Sequence, residues 1–458
     1  MPCRQVTECE ELAAANKQVK ELEAENRILK YDLAEMRNKW FSRKSKKKKA
    51  GEEEKEPKKK GAPVGHPGWY RKKPERIDKV KHVNPEKCSH CGGRNVAKYD
   101  NKTEEHIQED IVFLPVKVTK YIHHYGYCYD CKEIFCPRGE DELLLSYIGP
   151  TAKAFAAFLK NDIKMSERDI QRLFEKTWGL KVDASSIVGF RNQLARAGYP
   201  LYREILKEIK ASPVVNADET GWSMDGKNWW LWKLASPSLS FTHIDPSRGQ
   251  KVVEKLLGSK FDGVLISDFL SAYDKIEARA KQKCVPHLDR DLEKAEKCYA
   301  DDEIIRGYCS RLRDLFEQAR KLKEAWVKDE ITDQTLAQRR EPLVKQLEDF
   351  YFPNPQKGIL QTISKRLIKH KNNLFTFLYY KNVPYHNNHA ELQIRSDVLL
   401  RKIIFCSRSL KGTLTHSVLS TIIQTSKLNQ KDPMNILKMV LLAEGKQKNK
   451  LLPFIRAP

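Results

Sequence analysis

Long apolar runs are missing from this sequence, and acidic residues are fewer than basic ones. No stretch approaches the roughly 18 apolar residues that a membrane-spanning helix needs, so we expect no membrane partner. The first residues are charged and lack the apolar segment of a signal peptide, which predicts a cytoplasmic, nucleoid-associated protein. The chain has 61 acidic residues against 84 basic ones, a net charge of +23. Such an excess suits a polyanionic partner, and nucleic acid is the leading candidate.

The chain lacks an even number of cysteines, since it has eleven, and some of them are paired in sequence. Four of the eleven form two CxxC pairs: Cys88, Cys91, Cys128 and Cys131. In a chain without an export signal, such pairs favour metal ligation over disulfides. Two such turns complete a closed tetrahedral sulfur site, so we predict structural Zn²⁺ in a zinc-ribbon domain over residues 69–148. Cys136, His82 and His90 are alternative ligands. Alternating apolar residues between the pairs, such as Val116, are typical of short strands.

The segment 1–42 carries a seven-residue repeat. One seam position holds Leu12, Val19, Asn26, Leu33 and Trp40, and the other holds Ala15, Leu22, Leu29 and Met36. This pattern predicts a short coiled coil, in which Asn26 fixes the register of a homodimer. A solitary amphipathic helix that packs on its own protein is the alternative. The following residues, 43–68, are basic and poor in apolar side chains, which predicts a flexible linker.

Residues 149–210 have a helical pattern. Ser166 and Asp183 each precede a sequence typical of a helix start, so we expect three short helices that resemble a helix-turn-helix. The last helix, predicted over 185–196, would present three side chains to a DNA groove: Arg191, Asn192 and Arg196. A plain helical linker is the alternative interpretation.

Two apolar runs further along the chain each end in an aspartate. They are Val214–Asp218 and Val264–Asp268, and both predict strands. If the strands are neighbours in a sheet, the two carboxylates can share cations, as paired carboxylates do when they bind Mg²⁺. For either aspartate alone, a strand-end residue that caps the next turn is the better interpretation.

A third carboxylate follows on a predicted helix. Asn387 can cap this helix, and Glu391 then lies one turn inside it. Two strand-borne aspartates and a helix-borne glutamate in a basic protein are what two-metal phosphoryl transfer on DNA requires. Glu219 should point to the opposite face of the strand from Asp218, so we expect it to be dispensable.

These segments together resemble the insertion sequence 66 family of transposases. Ala217-Asp218-Glu219-Thr220 is similar to the family's first-aspartate motif, and Asn387–Glu391 with Arg401 and Lys402 is similar to its glutamate motif. The CxxC pairs and the N-terminal heptads also have counterparts in the family. The resemblance implies a multidomain α+β protein with an N-terminal coiled coil, a zinc ribbon, a helix-turn-helix and an RNase H-like α/β catalytic core. The implied core lies in two parts, 211–290 and 381–458, with a helical insertion over 291–380.

The resemblance also implies an activity and its partners. Asp218, Asp268 and Glu391 would hold Mg²⁺ or Mn²⁺ for cleavage at transposon ends and strand transfer into target DNA. The partners would be double-stranded DNA, as terminal inverted repeats and as target, with element-encoded accessory proteins as further candidates. Three basic residues near the glutamate motif are candidates for DNA contact: Arg395, Arg401 and Lys402.

One histidine and two other functions stay open. His287, just beyond a predicted strand at 283–286, would either steady the scissile phosphate or be a satisfied structural group. The alternatives to a transposase are an RNase H-like nuclease without strand transfer and a non-catalytic, domesticated DNA-binding protein.

Overall fold

The computed structural model describes residues 146–351, 359–443 and 451–456 without a break, and only scattered positions between 19 and 143. The chain divides into two compact units, one of which is residues 41–115, where only Ile77, Val80 and Arg94 are described. No helix in the described part of the chain is both long and apolar enough to cross a membrane. The α/β unit that follows carries the predicted catalytic residues.

Three helices precede the sheet: α1 (Pro150–Asn161), α2 (Glu167–Trp178) and α3 (Ala184–Lys210). Ser166 caps α2 as predicted, because its side chain accepts a hydrogen bond from the Asp169 N–H. The sequence prediction for α3 was too short, since the helix continues through Pro200 to Lys210. Its second half buries Leu201, Ile205 and Ile209, and this burial offsets the hydrogen bond that proline removes.

Five strands form one mixed sheet in the order β3-β2-β1-β4-β5. The strands are β1 (Val214–Met224), β2 (Lys227–Ser236), β3 (Leu239–Asp245), β4 (Lys260–Ser267) and β5 (Glu277–Lys283). The first three form an antiparallel meander, whereas β4 pairs parallel to both β1 and β5. The short helix α4 (Gln250–Leu257) connects β3 to β4. The mixed α/β core that the sequence predicts is therefore present.

The sheet is covered on both faces, as alternate residues of its strands show. Val215 and Leu265 belong to a core shared with α1, α3 and α4, while Val214 and Val264 belong to a second core made by a group of helices that follows the sheet. Successive side chains of a strand point to opposite faces. Asp218, four residues after Val214, is therefore on the side of the sheet that faces the second core.

The second core is built by the helices that follow β5, in the part of the chain where the sequence predicts a helical insertion over 291–380. They are α5 (Val285–Cys298), α6 (Glu303–Val327), α7 (Asp333–Gln346) and α8 (Ile359–Leu374), with 3-10 turns at Leu347–Phe350 and Thr376–Leu378. The predicted strand at 283–286 is wrong, because β5 ends at Lys283 and α5 begins at Val285. Pro286 fits the first turn of a helix, where its missing N–H costs nothing.

The last four helices close the described fold. They are α9 (Asn388–Ile404), α10 (Leu410–Leu428), α11 (Pro433–Leu442) and α12 (Leu451–Arg456). α10 covers the outer edge of the sheet, where the backbone N–H groups of Ser240 and Thr242 donate to Thr425 and Thr421. It also approaches α3 so closely that a Cβ on Gly198 would lie 2.6 Å from Ile422 Cδ1. Bulk at Gly198 would push α3 and α10 apart.

The positions described before residue 146 test only part of the coiled-coil and zinc-ribbon predictions. Seven positions between Val19 and Leu33 are helical and exposed, in agreement with a helix, while homodimerisation through it stays a prediction. Val116 lies outside any strand, although strands of two residues occur at Gly126–Tyr127 and Ile134–Phe135. The four predicted zinc ligands, Cys88, Cys91, Cys128 and Cys131, lie outside the described residues.

Candidate active site

The sheet brings the two predicted aspartates together. The parallel pairing of β1 with β4 ends at Asn216 opposite Ile266, and two register steps further on are Asp218 and Asp268. Only Asp268 lies at a strand end, because β1 continues six residues beyond Asp218 to pair with β2. Asp218 therefore lies where the parallel pairing stops and the two strands diverge, a position that leaves space beside its carboxylate.

The carboxyl group of Asp218 is crowded by negative charge. Burial, together with the charges of Glu219, Asp268 and Glu391, raises the pKa of Asp218 to about 8. The Glu219 backbone N–H donates to its Oδ1 at 3.0 Å. Lys233 is the cross-strand neighbour of Asp218, but its ammonium group lies 2.7 Å from Asp397 instead. A cation would relieve the excess charge around Asp218.

The third carboxylate lies on α9, which is fixed to the sheet by Asn387. The Asn387 side chain accepts a hydrogen bond from Asn216 at 3.0 Å and donates to the Ala217 carbonyl at 2.8 Å. Asn387 occupies the N-cap position of α9, as predicted, but its side chain makes no capping bond. These two contacts attach the helix to the two residues immediately before Asp218. Glu391, one turn further along, is thereby held close enough to act on the Asp218 carboxyl electrostatically.

Glu391 does not make a tight cluster with the two aspartates. Within the continuously described core, the three possible metal ligands whose donor atoms all lie within 4.8 Å of one another are Cys284, His287 and Glu391. His287 Nδ1 is 3.9 Å from Glu391 Oε1. The three predicted carboxylates therefore share one region, but Glu391 is directed towards Cys284 and His287.

Two cavities flank His287 and Arg290, which line both of them. One, of about 340 Å³, contains Asp218 and Glu391, and the other, of about 550 Å³, contains Asp268. The Arg290 guanidinium donates to His287 Nε2 at 3.0 Å, so that nitrogen is unprotonated. Burial, with the charge of Arg290, lowers the pKa of His287. His287 is thus neutral and lies between the two aspartates, which agrees with the predicted place at the site.

Basic side chains surround Asp268, and the sequence analysis missed them. Four line its cavity: Arg248, Arg290, Lys294 and Arg366. Arg366 pairs with Asp291 and lies over the Phe269 ring, 4.9 Å from its centroid. These residues come from α5, α8 and the turn before α4, far from the carboxylates in sequence, and no local pattern distinguishes them from surface arginines. Asp291 and Glu293 also line the cavity, so basic side chains outnumber acidic ones there by four to three, and the guanidinium groups among them are of the kind that binds phosphate.

Glu219 is on the other face of the sheet, as strand alternation predicts, but it is not isolated from the site. Its carboxylate accepts hydrogen bonds from Tyr273 and Arg248, each at 2.8 Å. Burial raises the pKa of Glu219, and so does the negative charge of Asp268. Arg248 in turn lies over the Trp230 ring, 4.4 Å from its centroid. Glu219 therefore positions Arg248 at the rim of the Asp268 cavity.

The predicted DNA contacts fall into two groups. Arg196, Arg395 and Lys402 have exposed side chains, and Arg395 lines the smaller cavity. The other three are engaged within the fold. Arg191 donates to Asn161 at 3.2 Å, Asn192 accepts from Thr415 at 2.8 Å, and Arg401 donates to Thr220 at 3.2 Å. DNA contact by any of the six stays a prediction, and the engaged side chains are the poorer candidates.

The residues at Asp218 and Asp268 fit a divalent cation. Mg²⁺ is bound by carboxylate oxygens from one or two residues and keeps several waters. Asp218 and Asp268 supply oxygens of this kind, and the raised pKa of Asp218 reflects its burial and the negative charges beside it, which a bound cation would offset.

Comparison with known proteins identifies the family. The model of the transposase IS66 family matches residues 146–414, more than half of the chain, and the chain therefore belongs to the IS66 family of transposases. The match covers α1 to α3, the whole sheet, the helical insertion and α9.

A similar curated protein is the uncharacterized protein y4jD of Sinorhizobium fredii. It is 25% identical over an alignment of 296 residues, and the match covers 58% of this chain and 56% of the relative. The chain thus spans little more than half the length of the relative that it matches.

Proposed function

We propose that this protein is a DNA transposase that cleaves transposon ends and transfers the freed strand to target DNA, with an RNase H-like catalytic core. Membership of the IS66 family supports the class of activity. The observation that carries the chemistry is the burial of Asp218 beside the charges of Glu219, Asp268 and Glu391, which together raise its pKa to about 8. Buried carboxylates of this kind are typical of sites that bind a cation. The mixed five-stranded sheet supports the RNase H-like core.

The chain's own residues have separate tasks in this reaction. Asp218 and Asp268 would provide the carboxylate oxygens for Mg²⁺ or Mn²⁺, and Glu391 would join them from α9. When bound, the two cations activate the attacking oxygen and stabilise the leaving oxygen of the phosphodiester. Arg290 and Arg366 would hold DNA phosphates beside Asp268 through charge-assisted hydrogen bonds. His287, which is neutral and lines both cavities, would lie beside the scissile phosphate.

The partners follow from the same chemistry. The net charge of +23 and the arginines around Asp268 favour double-stranded DNA, as terminal repeats and as target. We include in the proposal structural Zn²⁺ at Cys88, Cys91, Cys128 and Cys131, and a homodimer formed through the N-terminal heptads.

Cleavage of DNA from the ends of the element tests the proposed function. Asp218→Asn, Asp268→Asn and Glu391→Gln should each lower Mg²⁺-dependent cleavage by about a thousandfold, because several kcal/mol of transition-state stabilisation is lost. Double variants should be no worse than single ones, since the residues act as a unit. Asp262→Asn is the matched control, because Asp262 is an exposed carboxylate on the same strand that leads to Asp268.

The reaction products separate the proposal from its alternatives. A transposase gives joined products as well as cleaved ends, whereas a nuclease gives only cleaved ends. Binding to DNA without either product in the wild type would identify a non-catalytic DNA-binding protein. Robust cleavage by any of the three carboxylate variants would show that the proposed site is wrong.

A further inference from the structure

A second ligand set adjoins the acidic pair and has a different chemistry. It consists of Cys284, His287 and Glu391, which supply a sulfur, a nitrogen and an oxygen within 4.8 Å of one another. Cys284 precedes α5, His287 lies in its first turn, and Glu391 comes from α9. Thiolate and imidazole ligands select Zn²⁺ and similar ions, whereas Mg²⁺ and Mn²⁺ prefer oxygen ligands. The set is therefore unsuited to the ions that two aspartates bind.

Two of the three ligand atoms, on His287 and Glu391, lie near each other but make no hydrogen bond. His287 Nδ1 and Glu391 Oε1 are both inaccessible to solvent and without a hydrogen-bond partner, 3.9 Å apart. A buried polar atom without a partner costs free energy unless something else binds it. A single cation between the two atoms would satisfy both at once.

The backbone holds the set in place from two directions. The Asn387 N–H donates to Cys284 Sγ at 3.2 Å, and the Cys284 N–H donates to the Ser267 carbonyl at 2.9 Å. The first contact links the start of α9 to the start of α5, and the second ties Cys284 to the residue before Asp268. Because Asn387 is also bonded to β1, the three ligands stand on elements that are fixed to the sheet.

We propose that Cys284, His287 and Glu391 form a three-ligand site for a thiophilic divalent cation such as Zn²⁺, separate from the Mg²⁺ ligands Asp218 and Asp268. Three protein ligands leave a fourth position open for water, as in non-structural zinc sites. Binding releases the Cys284 proton, so the affinity rises with pH. Coordination through Nδ1 places the His287 proton on Nε2, and the exposed Arg290 side chain moves away.

Occupation of this site has a regulatory consequence, which rests on the proposed function. Glu391 belongs to both ligand sets, and it cannot be a Zn²⁺ ligand and complete the Mg²⁺ site at the same time. Zn²⁺ is therefore an inhibitor that competes with the catalytic ions for Glu391. The binding itself is independent of any reaction on DNA.

Cobalt absorption of the full-length protein tests the binding without DNA or activity. Co²⁺ replaces Zn²⁺ and gives a sulfur-to-cobalt charge-transfer band in the near ultraviolet, to which the predicted zinc ribbon also contributes. The difference between wild type and Cys284→Ser isolates the new site, since serine keeps an acceptor for the Asn387 N–H. Cys406→Ser is the matched control, because Cys406 is a half-buried thiol that belongs to no cluster of possible ligands in the described core.

The proposal expects about one fewer cobalt ion per chain and a smaller band in Cys284→Ser, with the wild-type spectrum in Cys406→Ser. His287→Gln and Glu391→Gln should lower the affinity of this site for cobalt by at least 10–100-fold, which is what loss of a supporting partner typically costs. Glu391 is more than one-third exposed, so Glu391→Gln keeps the test valid if Cys284→Ser fails to fold. Identical cobalt spectra in wild type, Cys284→Ser and Glu391→Gln would overturn the site. Cobalt binding without DNA cleavage would overturn the proposed function alone.

Discussion

Two aspartates beside the same pair of strands, Asp218 half-buried and Asp397 buried, have opposite electrostatic environments. Burial raises the pKa of Asp218, and its carboxylate neighbours raise it further, to about 8. Burial opposes ionisation of Asp397 as well, but Lys233 and His416 hold the pKa of Asp397 well below its usual range. Lys233 could serve either residue, since it is opposite Asp218 in the sheet and contacts Asp397 on α9. The ammonium group of Lys233 pairs with Asp397 and not with Asp218.

The difference between the two aspartates lies in the counter-charges that the fold supplies. Asp397 is fully compensated within the fold, because Lys233 lies at 2.7 Å, His416 at 3.0 Å, and Ser420 donates to it at 2.6 Å. This cluster joins α9 to β2 and α10, and so it positions the helix that carries Glu391. Asp218 is compensated by nothing comparable among the residues described around it. A buried carboxylate that is retained without a protein cation is the natural ligand of a metal ion.

The largest expected effect on stability comes from neutralising Asp397, the aspartate whose charge is compensated. Asp397→Asn should destabilise the protein by about 3–5 kcal/mol, because it leaves the fully buried Lys233 ammonium without a counter-charge. Urea unfolding measures the loss, with the exposed Asp262→Asn as a control that should lie within about 0.5 kcal/mol of wild type. The effect should also shrink at low pH, since a carboxyl with a depressed pKa stabilises the fold only while it is ionised. Equal stability of Asp397→Asn and wild type at neutral pH would contradict this account.

The uncompensated member should respond in the opposite direction. A carboxyl with a raised pKa favours the folded state at low pH, and this contribution is lost between its usual pKa of 3.8 and its folded value of about 8. Without metal, Asp218→Asn should therefore gain stability relative to wild type as the pH rises through this window, on the order of 2–3 kcal/mol. Thermal unfolding from pH 5 to pH 9 in a chelating buffer checks the trend. A constant difference across that range would show that Asp218 is not crowded by charge.

The smallest effect concerns Glu219, which lies near the acidic pair but has partners. Glu219→Gln keeps an acceptor for Tyr273 and removes the charge opposite the half-exposed Arg248, so we expect a stability change of about 1 kcal/mol or less. Cleavage should fall modestly, since Arg248 loses its anchor beside Asp268. Tyr273→Phe is the matched variant, because it removes the other hydrogen bond and leaves Arg248 in place. A loss of cleavage as large as that of Asp218→Asn would make Glu219 a fourth ligand.

The sequence predicted the strands that bear the acidic residues better than it predicted the side chains around those residues. Apolar runs that end in Asp218 and Asp268 identify buried strands, and a strand period of two places Glu219 on the other face. No local pattern predicts that β1 and β4 are neighbours in the sheet, because their parallel pairing depends on a crossover connection. Arg248 and Arg366 reach Asp268 from separate helices and turns, and a single sequence contains no signal for such contacts.

Local rules failed where tertiary contacts override them. Asn387 has the residue type of a helix cap, yet its side chain hydrogen-bonds β1 and not the backbone of α9. These bonds attach the start of α9 to the sheet. The helix predicted over 185–196 stops short of Pro200, which locally disfavours a helix. Burial of the following turns nevertheless extends α3 through Pro200 to Lys210. Arg191 has the type and spacing of a DNA contact, yet it donates to Glu167 and Asn161 within the helical domain.

Manganese binding is the most direct test of whether Asp218 is left uncompensated in order to hold a catalytic cation. Mn²⁺ prefers oxygen ligands and can be counted by electron paramagnetic resonance of the full-length protein without DNA. The account predicts that Asp218→Asn and Asp268→Asn lose Mn²⁺ that wild type and Asp262→Asn retain. Equal Mn²⁺ binding by Asp218→Asn and wild type, with both proteins folded, would contradict it.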